Sequence, residues 1–149
     1  MTAKVGDRDS PVILPVILIV EDDPETRRFY QQVFEDGGFH TDQAHNGLQA
    51  LEKAIQSRPD LILTDIAVPG IDGIELCRRL RANRRTRSIP VLAVTGYADR
   101  HYPDRARDAG ADQIFIKPCE AEVLIAEAHR LLERIKRERE RRARAASRR

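Results

Sequence analysis

The sequence predicts an α/β fold, a five-stranded parallel sheet that is doubly wound, with helices on both faces. Three observations carry this reading. Five short apolar runs rich in Val, Ile and Leu recur along the chain, as expected of strands buried on both sides. Segments with apolar residues at helical spacing alternate with them. Turn chemistry, including Asp-Pro, Asn-Gly, Pro-Gly and Asp-Gly, falls between the two kinds of segment. Five such β/α repeats imply one parallel sheet with covered faces. With 149 residues, 41% of them hydrophobic, the chain suits one compact domain with a substantial core, and a second full domain does not fit.

Residues 1–12 have no apolar periodicity and read as a flexible leader. The first strand is Val16-Ile17-Leu18-Ile19-Val20. Asp23-Pro24 then supplies an N-cap and a first helical residue. Phe29, Tyr30, Val33 and Phe34 form the helix stripe, and Gly37-Gly38 stops it. Phe39 to Ala44 reads as a weak second strand. Asn46-Gly47 turns into a helix with a stripe of Leu48, Leu51, Ala54 and Ile55, closed by Arg58-Pro59. The third strand ends Leu61-Ile62-Leu63-Thr64-Asp65. Pro69-Gly70 and Asp72-Gly73 mark a loop before a helix carrying Ile74, Cys77 and Leu80. Pro90 opens the fourth strand, Val91 to Val94, followed by Thr95. Tyr102-Pro103 interrupts the next segment, so a short or mobile fourth helix is expected to end near Ala109-Gly110. Gln113 to Ile116 is the fifth strand. Lys117-Pro118 leads into a long helix with a stripe of Val123, Leu124, Ala128, Leu131 and Ile135.

Charge divides the chain. Residues 130–149 hold ten Arg or Lys against three Glu, whereas the first 129 residues hold 16 basic and 21 acidic ones. The body is therefore acidic and the tail, 133–149, is a basic segment that is helical or disordered. Glu133 with Arg137, Glu138 with Arg142 and Glu140 with Arg144 stand at i,i+4 spacing, which favours helix. Cys77 and Cys119 lack metal or disulfide-framework spacing and read as reduced thiols. The run Val12 to Val20 contains Pro15, ends in three acids and is too short to span a bilayer. A cytoplasmic protein is the expectation. His40, His45, His101 and His129 show no ligand-like spacing and read as surface or loop residues.

The chemistry lies at the strand ends. Glu21-Asp22-Asp23 follows the first run, Asp65 ends the third, Thr95 follows the fourth and Lys117 the fifth. In an open parallel sheet the carboxyl ends of the strands pool their side chains near the point where strand order reverses. No Gly-rich phosphate loop follows any strand, which argues against a nucleotide cofactor. Instead, the pool suits a hard divalent cation such as Mg²⁺, held by Asp22 and Asp65, with Glu21 acting through water. With the acids neutralised, Asp65 is a candidate nucleophile toward phosphorus. Lys117 and Thr95 are placed to bind phosphoryl oxygens. Each residue alone has a bland structural reading as a cap, surface lysine or strand threonine, and it is the set that overturns those readings.

Val20-Glu21-Asp22-Asp23, Thr64 to Gly73, Val94-Thr95-Gly96-Tyr97 and Ile116-Lys117-Pro118 together resemble the receiver domain of two-component response regulators. The match covers about residues 14–132 and assigns the domain to 13–132. The resemblance implies a flavodoxin-like (βα)5 fold, with Asp65 as phosphoacceptor. It implies Asp22 as a direct metal ligand, Glu21 as a water-mediated one and the Ala67 backbone carbonyl as a third. Asp23 is left to cap the helix, and a cis Lys117–Pro118 bond is implied. The switch position occupied by an aromatic ring in many members is Ile114 here, so the usual ring coupling lacks its ring. Phe115, next in line, is expected to point to the opposite face. Tyr97 falls where a side chain can shade the phosphoryl group and affect its lifetime. The implied partners are a sensor histidine kinase or phosphotransfer protein and an unknown output protein.

Three functions compete on this reading. The leading one is a phosphoacceptor switch that is not a turnover enzyme. A Mg²⁺-dependent phosphatase would need a substrate pocket and a second acid, and neither is visible. A phosphorylation-independent interaction module, with nucleic acid bound through the basic tail, draws support from Ile114 and the arginines.

Overall fold

The computed structural model describes residues 13–96 and 101–148. Five strands and five helices alternate among them: β1 (Val16–Val20), α1 (Pro24–Asp36), β2 (His40–Ala44), α2 (Gly47–Ser57), β3 (Leu61–Asp65), α3 (Gly73–Ala82), β4 (Val91–Thr95), α4 (His101–Ala109), β5 (Gln113–Ile116) and α5 (Ala121–Ser147). All pairs are parallel and the order is β2-β1-β3-β4-β5. The chain moves outward from β1 to β2 and then crosses back to β3. The crevice where direction reverses lies at the carboxyl ends of β1 and β3.

Strand alternation divides the core in two. Ile17, Ile19, Leu61, Leu63, Leu92 and Val94 face α1 and α5, packing with Tyr30, Phe34, Leu124, Ala128 and Leu131. Leu18, Val20, Ile62, Val91 and Ala93 face α2, α3 and α4. Successive side chains of a strand point to opposite faces, and both faces here are covered, which is why the strands read as unbroken apolar runs. In β5 the same rule puts Ile114 in the α2–α4 core and Phe115 against the α1–α5 core.

The helix caps follow the sequence. Asp23, Asn46 and Asp72 each accept a hydrogen bond from a backbone N–H of the following first turn, satisfying donors that have no acceptor within the helix.

Three stripe residues lie differently from expectation. Phe29, Leu48 and Val123 are exposed. The buried lines keep Tyr30 and Phe34 of the expected stripe in α1, Ala54 in α2 and Leu124, Ala128 and Leu131 in α5, and add Arg27 in α1 and Gly47 and Ala50 in α2. A step of one residue turns a helix by about 100°, enough to move a side chain from the core to its edge. In α2 the small residues let the helix close on its neighbours. A Cβ on Gly47 would stand 2.2 Å from the Ile71 carbonyl oxygen.

The segment around Tyr102-Pro103 also differs. Pro103 does not interrupt α4 but sits in its first turn, where an N–H would lack a helical acceptor anyway. Tyr97 and residues 98–100 lie outside the described residues, as do 1–12. Among the described residues, Glu133 with Arg137, Glu138 with Arg142 and Glu140 with Arg144 form no ion pair. Glu138 instead stands 3.9 Å from Arg134, which also binds Asp112 at 2.7 Å. None of the described helices is long and apolar enough to cross a membrane.

The burial of these positions is directly measurable. Leu63→Ala, in the middle of β3 and 1% exposed, is expected to lower stability by about 2–5 kcal/mol. Leu48→Ala is expected to cost less than about 0.5 kcal/mol. Urea midpoints for the two variants decide between this packing and one with Leu48 in the core.

Candidate functional site

At the end of β1 the backbone continues its ladder, with Glu21 N–H donating to the Ala44 carbonyl at 3.0 Å. The Asp23 carboxylate turns to cap α1, accepting from Thr26 N at 2.9 Å and Thr26 Oγ1 at 2.7 Å. This leaves Glu21 directed inward, 3% exposed, with Oε2 accepting the Asp23 N–H at 3.0 Å. Asp22 is exposed.

Asp65 closes β3. Its Oδ1 accepts the Ala67 N–H at 3.0 Å, and the Thr64 hydroxyl donates to its carbonyl at 2.8 Å. The following loop folds back tightly, with Gly73 N–H on the Ile66 carbonyl at 2.8 Å. A Cβ on Gly73 would stand 2.7 Å from Ile66 Cα and 2.8 Å from the Asp65 carbonyl oxygen, so the close approach of α3 to the site requires glycine.

From the other side, the Lys117 N–H donates to the Thr95 carbonyl at 2.7 Å, and the Lys117–Pro118 bond is cis. The Lys117 ammonium meets Asp65 Oδ2 at 2.7 Å and stands 3.6 Å from Glu21 Oε1. Thr95 is 1% exposed at the end of β4, next to β5 and one position beyond the pairing of Asp65 with Val94.

The structure thus brings Asp65, Lys117 and Glu21 into contact. Thr95 and Ala67 sit on adjoining strand and loop positions, and Asp22 forms no hydrogen bond or ion pair among the described residues. A cleft of about 530 Å³ beside the ammonium is lined by Phe29, Tyr30, Gly96, Lys117, Pro118 and Cys119, with Thr26 at its edge.

Burial is the main force on Glu21. It pushes the carboxyl up from 4.5 to about 7, the charge of Asp65 adds to this, and the Asp23 N–H and Lys117 act against it. For Lys117, burial acts to lower the pKa. The hydrogen bond and charge of Asp65, with Tyr30 and Glu21 behind them, outweigh it and hold the ammonium above the ordinary lysine value.

Two residues that support the site carry no motif. Arg27 is buried and donates through Nη1 to the Glu21 carbonyl at 2.9 Å and through Nε to Gln43 at 3.2 Å. It pins the acidic turn from beneath. The sequence signal was its place one helical turn after the Asp23 cap, but an arginine in a charged helix reads as solvated. Tyr30 packs below Lys117, and burial pushes its phenol to about 12.

No three His, Cys, Asp or Glu side chains among the described residues converge closely enough to hold a metal by themselves. The set at hand is all oxygen, however: the carboxylates of Asp22, Asp65 and Glu21 and nearby backbone carbonyls. Glu21 Oε1 is buried without a hydrogen-bond partner. An oxygen set with one orphaned carboxylate oxygen fits a hard cation that keeps part of its water shell.

The buried glutamate makes stability pH-dependent. Because its pKa is raised on folding, the native state holds the proton more tightly, and that stabilisation is complete below about 4.5 and lost as pH rises through about 7. In chelator, the stability of Glu21→Gln relative to the native sequence is expected to increase by up to about 3 kcal/mol between acid and mildly alkaline pH. Urea titrations at the two pH values test this, and a pH-independent difference would remove Glu21 as the titrating group.

Known proteins similar to this chain fall in one family. A family profile described as "Response regulator receiver domain" matches residues 17–129. The chain is 36% identical over 121 residues to the DNA-binding dual master transcriptional regulator RpaA of Synechocystis, covering 81% of this chain and 50% of that one. It is 37% identical over 102 residues to the polar-differentiation response regulator DivK of Brucella anthropi, covering 68% and 83%. It spans about half the length of RpaA and of the response regulator ArlR of Staphylococcus saprophyticus. Among solved structures it is similar to a CheY-like receiver domain protein from Methanospirillum hungatei, with TM-score 0.79 and 28% identity over 85% of this chain and 99% of that one. It is also similar to the receiver domain of a sensor histidine kinase from Pseudomonas aeruginosa with magnesium coordinated in its active-site cleft, with TM-score 0.76 and 27% identity over 81% and 99%. With five parallel strands, five alternating helices and acids meeting a lysine at the carboxyl edge, the chain belongs to the response regulator receiver domain family of two-component signalling.

Proposed function

We propose that this chain is a phosphoacceptor switch in which Asp65 takes a phosphoryl group from a phosphohistidine of a sensor histidine kinase or phosphotransfer protein, in a Mg²⁺-dependent reaction. The observation that carries the proposal is the Lys117 ammonium at 2.7 Å from Asp65 Oδ2, with the buried Glu21 behind it. A cation already stands where negative charge would build up on a transferring group.

Asp22, Asp65 and the Ala67 carbonyl would hold the magnesium ion, with Glu21 reached through water. When bound, the ion neutralises the clustered acids and the phosphoryl oxygens. A carboxylate oxygen of Asp65 attacks phosphorus, the P–N bond to the donor imidazole breaks, and the imidazole leaves with the electron pair and takes up a proton. The Asp65 carboxylate is held for this by the Ala67 N–H on its other oxygen. Lys117 exchanges its bond to Asp65 for one to a phosphoryl oxygen, and Thr95 binds another. Each chain accepts one group and loses it by hydrolysis, so the protein is a switch and not a turnover enzyme. Tyr97 governs that lifetime through water access.

Output goes through protein contacts of residues 13–132 in the cytoplasm. Ile114 is 8% exposed in the α2–α4 core. A change at Thr95 therefore reaches α4 by aliphatic repacking in place of a ring rotation.

Intact-mass measurement after incubation with Mg²⁺ and acetyl phosphate tests the chemistry. A single phosphoryl adduct is expected, absent from Asp65→Asn and from samples in chelator. An adduct that persists in Asp65→Asn would move the acceptor elsewhere. Lys117→Ala is expected to slow adduct formation on the order of 10²-fold while leaving the fold intact by circular dichroism.

A further inference from the structure

A groove of about 580 Å³ lies at the amino ends of β3, β4 and β5, the edge opposite Asp65. Its walls come from the loop before β3, the end of α3, the loop before β4, Asp112 and the outer face of α5. Eight arginines and three acids line it. The acids are already engaged. Asp112 is bridged by Arg81 at 2.9 Å and Arg134 at 2.7 Å, Asp60 Oδ2 accepts the Val16 N–H at 2.8 Å, and Glu138 stands 3.9 Å from Arg134. By contrast, the exposed side chains of Arg58, Arg84, Arg87, Arg139 and Arg142 form no hydrogen bond or ion pair among the described residues. The buried Arg134 Nε also has no hydrogen-bond partner. Arg81 and Arg134, fixed through Asp112, hold the body wall and the α5 wall in register.

We propose that this groove seats the phosphodiester backbone of duplex DNA, independently of base sequence. The charge calls for a polyanion, and the planar fork of arginine matches phosphate oxygens in pairs. Apolar lining is confined to Pro59, Ile89 and Ile135, too little for the aromatic and aliphatic anchors that a protein interface uses. No aromatic side chain lines the groove among the described residues. A single strand therefore finds no stacking platform, whereas a duplex, with its bases turned inward, needs only phosphate contacts. Arg134 to Arg142 run about 12 Å along α5, the rise of about three to four base pairs at about 3.4 Å per phosphate. The site extends beyond the basic tail, because Arg58, Arg84 and Arg87 belong to the body. It does not depend on phosphorylation of Asp65.

Fluorescence anisotropy with a labelled duplex DNA and the full chain tests the proposal between about 50 and 200 mM salt. Replacing Arg84, Arg87, Arg139 and Arg142 together by Gln is expected to weaken binding about tenfold or more and to reduce the salt slope by about 3 to 4. Four Gln changes on the other face of α5, at Arg130, Arg137, Arg141 and Arg144, are expected to weaken it less. Should the four-site groove variant melt early, Arg139→Gln with Arg142→Gln, on the helix beyond the core, is expected to give about half the slope change. Absence of duplex binding at the lowest salt overturns the proposal. So does equal or tighter binding of a single-stranded oligonucleotide or of polyglutamate, or a groove variant no weaker than the variant on the other face.

Discussion

The ammonium of Lys117 is the charge on which the carboxyl edge of the sheet depends. β1 and β3 are hydrogen-bonded neighbours, so Glu21 and Asp65 are brought side by side by the ladder itself, and Glu21 is nearly buried. Two carboxylates so placed repel one another and are poorly hydrated. Lys117 directly follows β5, with β4 between that strand and β3, about 10 Å across the sheet. A long side chain covers that distance and an ordinary polar one does not. Around this contact the smaller features make sense. Asp23 turns away to cap α1, Arg27 holds the Glu21 carbonyl, and Gly73 lets α3 come close behind Asp65.

The opposite edge has its own tie. Asp112 accepts from Arg81, Arg134 and the Val91 N–H, joining α3, β4, β5 and α5 at one carboxylate. Arg81 also donates to the carbonyls of Gly110, Arg87 and Ile89. A single aspartate with several donors is a firm anchor, and it fixes the angle at which the basic helix leaves the body. The two ends of one small sheet therefore carry opposite chemistry, acids gathered by a lysine at one and arginines gathered by an aspartate at the other. The division into acidic body and basic tail, drawn from charge along the chain, misses this, because Arg84 and Arg87 of the body line one groove with arginines of the tail.

Legibility varied with the range of the interaction. The five strands were plain because each is covered on both faces and carries an apolar run. The cap at Asp23 was plain because a cap bonds within its own first turn, whereas Asn46 and Asp72, read as turn and loop residues, proved to be caps as well. The helix stripes were legible at their centres but not at their margins. Phe29, Leu48 and Val123 lie at the margins of the buried lines, and only the neighbouring helix and sheet decide which margin is covered. Arg27 and Arg81 were unreadable. A charged residue is buried only when acceptors surround it, and those acceptors, the Glu21 and Gly110 carbonyls among them, come from other elements.

The amino-acid order alone determined that acids, aspartate, threonine and lysine-proline would gather at one edge. In a parallel sheet every strand runs the same way, so residues that end successive strands must end on the same side. Which of them touch was decided by the tertiary structure. The order β2-β1-β3-β4-β5 sets the distances between strand ends. Strand order comes from pairing between segments far apart in the chain, which local periodicity does not encode. The arginine groove has the same origin, since its walls meet only when α5 packs across the sheet and Asp112 joins it to α3.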